Sequence, residues 1–208
     1  MTRSITSIAN RAIDLFGGLA ITSLNDNTKA ARALNRAYTP ILEDLLSKHN
    51  WSFCKKRIEL AVSTDDPLYE YTTAFDKPED FLRILEVYPK YIKYQVEGQL
   101  ILADAQELKC KYIALITDPT LFTSEFAELF SKKLAAEVCF KVTQNRSLAD
   151  DLKKEFEKYY RWAASNDSKG SGTSQPEADD IWMVHRGYGS DQSNNATLVD
   201  GFDYGTVS

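Results

Sequence analysis

The spacing of apolar residues changes period twice along the chain. From Ser4 to Phe16, Ile5, Ile8, Ala9, Ala12, Ile13 and Phe16 fall on one helical stripe, and Gly17-Gly18 supplies a left-handed exit. A second helix is expected behind Asn27 as its cap, with Ala30, Leu34, Ala37, Ile41 and Leu45 recurring every three to four residues to about His49. Pro40 lies inside that pattern and removes a backbone donor, so the helix should kink or split there. Between Phe53 and Thr117 the segments 57–62, 69–72, 82–88, 91–96, 99–102 and 111–116 are short and rich in aromatic and β-branched residues, which predicts strands. Glu97-Gly98 reads as a hairpin turn, and Pro67, Pro78 and Pro89 mark loops or edges. Strands this closely spaced pair antiparallel, because a parallel crossover needs a dozen or more residues.

Helical period returns at Asp118-Pro119, read as a cap with proline in the first turn, and carries Phe122, Phe126, Phe130, Leu134, Val138 and Val142. Leu129, Ala135, Ala136 and Cys139 widen that stripe, so this should be the most buried helix. Ser147-x-x-Asp150 opens a last helix as a capping box, with Leu148, Leu152, Phe156, Tyr159 and Ala163 inward and Lys153, Lys154, Glu157 and Lys158 outward. The expected fold is α+β: about four helices in 1–52 and 118–166, an antiparallel strand-rich insertion at 53–117, and an extended C-terminal tail at 167–208. That tail is rich in Gly, Ser, Asn and Asp, a composition that does not fold alone. It nevertheless carries Ile181-Trp182-Met183-Val184 and Leu198-Val199-Asp200-Gly201-Phe202-Asp203-Tyr204. Apolar clusters spaced along a polar tail suit gripping another subunit, and Trp182, Met183, Phe202 and Tyr204 are the expected anchors.

Composition narrows the class. With 43% hydrophobic and 26% charged residues the chain reads as soluble and globular, long enough for a real core. No apolar run approaches the roughly 20 residues that span a bilayer, and Met1 to Gly18 interleaves charges with apolar residues, so neither signal peptide nor membrane anchor is expected. Cys54, Cys110 and Cys139 are odd in number and widely spaced, which argues for free thiols over a disulfide framework or a zinc knuckle. The net charge of −5 resides wholly from Asp167 onward, where seven acids face two bases. A neutral body with an acidic tail lacks the basic footprint of a tight nucleic-acid binder.

Candidate chemistry is sparse. His49 and Cys54 form the one possible base and nucleophile pair, and helix capping beside a buried thiol explains them more simply. Asp65-Asp66, Glu79-Asp80, Asp150-Asp151 and Asp179-Asp180 are paired carboxylates of the kind that cleave glycosidic bonds, but each sits at a turn, a helix start or in the tail. Gly17-Gly18 lacks the Lys-Ser/Thr of a phosphate loop, and metal-ligand spacing is missing. Lys55-Lys56-Arg57 is the one tight basic cluster and reads as a solvated corner. No catalytic, cofactor or metal residues are therefore assigned.

A resemblance adds what these patterns cannot. Ile8-Ala9-Asn10-Arg11-Ala12-Ile13-Asp14-Leu15-Phe16-Gly17-Gly18, Ile21-Thr22-Ser23-Leu24-Asn25-Asp26, and Asn50-Trp51-Ser52-Phe53 feeding Arg57-Ile58-Glu59-Leu60-Ala61 stand in an order that resembles the head-to-tail adaptor, or tail tubular protein A, family of short-tailed bacteriophages. Pro67-x-Tyr69-x-Tyr71, Pro78-Glu79-Asp80-Phe81-Leu82-Arg83-Ile84-Leu85 and Asp118-Pro119-Thr120-x-Phe122 extend the similarity over about residues 5 to 165. The resemblance implies that the helices of 1–52 and 118–166 form one helical bundle with the antiparallel β domain 53–117 inserted, in a structural virion protein made in the bacterial host cytoplasm and located at the head-tail junction. About a dozen copies would form a ring below the portal, prolong the DNA channel without specific DNA binding, and carry the downstream tail nozzle or tail-tube protein. Two other readings stay open: a phage-associated cell-wall glycoside hydrolase, with Glu79 among its candidate acids, and a soluble host adaptor unrelated to virions.

Overall fold

The computed structural model describes residues 3–170. The first helix, α1 (Ile5–Leu15), begins with a reciprocal cap: the Ser7 backbone N–H donates to the Ser4 hydroxyl, and the Ser4 N–H donates to the Ser7 hydroxyl. It ends where Gly17 takes φ +74, a left-handed backbone that glycine adopts without steric cost. Ile8, Ala9, Ala12, Ile13 and Phe16 are buried as their spacing predicts. The second helix, α2 (Lys29–Lys48), is capped by Thr28, not Asn27. The Thr28 hydroxyl accepts from the Ala31 N–H, and Asn27 accepts from the Arg32 guanidinium instead. Pro40 does not split the helix: α2 is continuous across it. Pro40 and Arg36, whose carbonyl loses its donor, both lie on the exposed face, where solvent can satisfy the freed group.

A 3₁₀ turn (Ser52–Cys54) leads into six strands: β1 (Lys55–Glu59), β2 (Thr73–Asp76), β3 (Phe81–Tyr88), β4 (Tyr94–Glu97), β5 (Leu100–Ala103) and β6 (Lys109–Ala114). They form two antiparallel three-stranded sheets, ordered β1-β6-β3 and β2-β5-β4. Among sequential neighbours only β4 and β5 pair, as a hairpin turning at Gly98 with φ +55. The strand expected at 69–72 is a loop, and the pairing strand follows it at Thr73–Asp76. Ala74 and Phe75 supply the buried positions that a strand against the core needs, whereas Tyr69 is 77% exposed.

Asp118 caps only a single 3₁₀ turn (Pro119–Leu121). The long helix starts later, as α3 (Ser124–Thr143), where the Thr123 hydroxyl accepts from the Phe126 N–H. The last helix, α4 (Arg146–Gly170), starts behind Asn145, whose side-chain oxygen accepts from the Leu148 N–H, and not behind Ser147. It also runs past the expected end of the body. The boundary drawn between 166 and 167 falls inside this helix, because Asp167 finds partners on the body.

The molecule is α+β, with α3 at its centre, packed by α1, α2 and α4. Phe126, Phe130, Leu134 and Val138 are wholly buried there. Tyr38 and Trp51 meet Phe130 and Phe126 edge-on at 4.8 and 5.1 Å. Where α1, α3 and α4 converge, Arg11 grips Glu128 through two bonds of 2.9 and 3.0 Å, and the buried Lys132 reaches Glu155 at 2.5 Å. The Arg11 hydrogen bond, against opposing burial, holds the Glu128 carboxyl below the usual range. α2 packs on β3 and β6, so a single apolar cluster continues from the bundle through Cys110 and Ile113 to Ile101 and Phe75.

Candidate interaction surfaces

The Asn-Trp-Ser-Phe segment turns the chain out of α2, and its side chains are tied to other parts of the body, Asn50 accepting from Arg83. Trp51 is buried and donates from its indole Nε1 to the Leu45 carbonyl at 2.8 Å. The Asp167 carboxylate accepts from the Ser52 N–H at 3.1 Å and from the Ser52 hydroxyl at 2.6 Å. His49 Nε2 stands 3.3 Å from Asp167 Oδ2 without hydrogen-bond alignment. Burial lowers the His49 pKa despite the opposing pull of Asp167. A hydroxyl and an imidazole thus converge on one carboxylate; in a catalytic relay the imidazole would stand between the other two. Cys54 is turned away, its thiol donating to the Trp51 carbonyl at 3.2 Å, and burial pushes it up to about 12, which disfavours the nucleophilic thiolate. The corner is a clasp that fastens the last turns of α4 to the start of the strands.

The Glu79-Asp80 pair is also structural on its Asp80 side. Although burial resists ionisation, hydrogen bonds from Lys56 at 2.6 Å and Tyr112 at 2.9 Å hold the Asp80 carboxyl below its ordinary value. A glycosidase acid requires the opposite shift. Lys55-Lys56-Arg57 does not act as one patch, because a strand sends alternate residues to opposite faces. Lys56 goes to Asp80, and Arg57 turns to the groove described next.

A concavity of about 640 Å³ lies over the β1-β6-β3 sheet. Arg57 and Glu59 from β1, Glu86 and Tyr88 from β3, and Lys109 and Lys111 from β6 line it, with Lys90, Tyr91 and Tyr94 closing one side. Lys109 pairs with Glu59 at 3.2 Å and Lys111 with Glu86 at 3.1 Å. Arg57 and Lys90 have no ion-pair partner among the described residues, so the groove keeps a positive rim. Its tyrosines are wet: Tyr88 is 63% exposed and Tyr91 fully so. Tyr91 is also held at φ +66, a left-handed backbone that is rare for a bulky residue.

A second feature belongs to the loop before β2. Residues 65–71 contain Asp65, Asp66 and Glu70 and no base. They lift Leu68, 96% exposed, and Tyr69 to the tip. Glu70 at φ +71 sits at the centre of a three-residue turn closed by the Tyr71 N–H on the Tyr69 carbonyl at 2.9 Å. The aromatic residues of 69–72 and 91–96 predict strands, but 69–71 belong to this loop and Tyr91 precedes β4. Adjacent acids and Pro67 were the available contrary signal at the loop.

The expected anchors Trp182, Met183, Phe202 and Tyr204 lie outside the described residues. Among the described residues, no cluster of His, Cys, Asp and Glu is placed to hold a metal ion, and no helix is long and apolar enough to cross a membrane. No protein-family model matches the chain, and no curated protein matches it.

Proposed function

We propose that this chain is a head-to-tail adaptor subunit of a short-tailed bacteriophage, one of a ring that docks beneath the portal, prolongs the DNA channel and receives the next tail protein. The observation that carries the reading is where apolar surface is left in water. Of thirteen large hydrophobic side chains exposed among the described residues, eight lie between Ile58 and Val96, on the strands and their loops. Four of them, Ile58, Tyr88, Tyr91 and Tyr94, line one groove, and contiguous apolar surface left in water marks contact sites. It sits on a body whose helices from both ends of the chain close around α3, the arrangement that the order of sequence motifs implies for an adaptor. DNA passes such a subunit without being gripped, consistent with equal numbers of acids and bases over residues 1–170.

The test is assembly. Purified full-length protein is mixed with rings of the portal protein encoded in the same genome and imaged by electron microscopy. A second ring stacked coaxially on the portal is the expected result. Absence of any attachment, with both components folded, overturns the proposal.

A further inference from the structure

We infer that the groove over the β1-β6-β3 sheet is a socket for the 65–71 loop of a second copy of this chain, with Leu68 and Tyr69 of one copy entering between Tyr88, Tyr91 and Tyr94 of the next. The two surfaces share no residue. The contact is therefore head-to-tail, the type that closes into a ring or continues as a filament. In this respect the inference deepens the adaptor reading and rests on it for ring closure alone.

Charge, shape and backbone agree on the pairing. The loop brings three acids and no base, and the groove keeps Arg57 and Lys90 uncommitted after its other cations are paired. Two loops would repel each other, so a symmetric loop-to-loop dimer is disfavoured. Exposed pairs of this sort set orientation and encounter rate more than affinity. Affinity comes from the tip, because Leu68 and Tyr69 stand almost free of their own body and the groove offers tyrosine faces to receive them. At about 640 Å³ the recess is within the size range of clefts that enclose a ligand of a few side chains. Both halves also carry a non-glycine residue at positive φ, Glu70 in the loop and Tyr91 in the groove. Such strain is retained where a side chain must be held out for contact.

The experiment measures self-association of the full chain by sedimentation velocity, together with portal attachment, for wild type, Asp66→Lys, Lys90→Asp, and an equal mixture of the two variants. Asp66 and Lys90 are both exposed, and circular dichroism checks that the fold is intact. Each reversal alone is expected to weaken association by about tenfold, since it places like charges together. The mixture should recover most of the loss, because one variant's loop then faces the other's groove with opposite charge. Oxidation of a chain carrying both Leu68→Cys and Tyr91→Cys should give a ladder of linked copies, whereas either cysteine alone should not. Sensitivity to Lys90→Asp without sensitivity to Asp66→Lys overturns the loop as occupant and leaves the groove to another segment. Association indifferent to both reversals, or a chain that stays monomeric alone and attaches to portals regardless of either, overturns the socket. A second ring that still stacks on the portal with either variant removes this contact and leaves the adaptor reading; charge-sensitive association without portal attachment does the reverse.

Discussion

Tyr38 and Phe130 meet edge to face in the bundle, yet their contributions to stability have different signs at the margin. The Tyr38 ring is 6% exposed, and its hydroxyl finds no hydrogen-bond partner among the described residues, so burial pushes its pKa up to about 12. A buried polar group without a partner costs about 1 to 3 kcal/mol. Tyr38→Phe keeps the ring and removes that group; thermal unfolding should show the variant as stable as wild type or more so. Phe130 is wholly buried between Tyr38, Phe122 and Phe126. Phe130→Ala should lose about 3 to 5 kcal/mol in urea unfolding, a large part of a domain's net stability. Phe130 is legible in the sequence because Phe126 and Leu134, one helical turn to either side, continue its apolar stripe. The Tyr38 hydroxyl was not, since orientation depends on which helix packs over it.

At the level of elements, periodic apolar stripes located all four helices, because each buries one face against the others and only that face has to be apolar. Helix starts were less legible. Asn27 and Thr28 can both cap, as can Asp118 and Thr123, and the choice falls to the residue whose extended backbone directly precedes the first helical turn. Strand pairing was beyond the pattern, since β6 lies between β1 and β3 only after the intervening strands have folded away into a second sheet. Polar composition hid the end of α4 altogether: Asn166-Asp167-Ser168 resembles linker, but Asp167 is bound three times over by Ser52. Two truncations separate these readings. A chain ending at Gly170 should unfold with the same midpoint as the full protein. One ending at Asn166 should lose about 1 to 3 kcal/mol, and Asp167→Ala in the full chain should reproduce the loss, because the Ser52 donors are then left without their acceptor.

For the whole molecule, stability should depend on pH through the same clasp. Burial lowers the His49 pKa below its ordinary 6.5. The unfolded chain therefore binds a proton at higher pH than the folded one. The stabilisation is complete above the ordinary value and is lost as pH falls through the depressed one. Urea midpoints should drop between neutral pH and mild acid, and His49→Gln should flatten that part of the curve. Asp80 and Glu128, whose carboxyls are also depressed, act in the same direction but only in the lower range where carboxylates protonate. The three cysteines supply a further consequence. Cys139 lies in α3, Cys110 in β6 and Cys54 at the corner; all are free and buried. A thiol reagent can reach each one only when its own region opens, so three alkylation rates in the native protein time three separate openings. In the proposed ring the clocks would differ from those of the free chain, and the thiol whose rate slows there would identify which of these regions a neighbour holds shut.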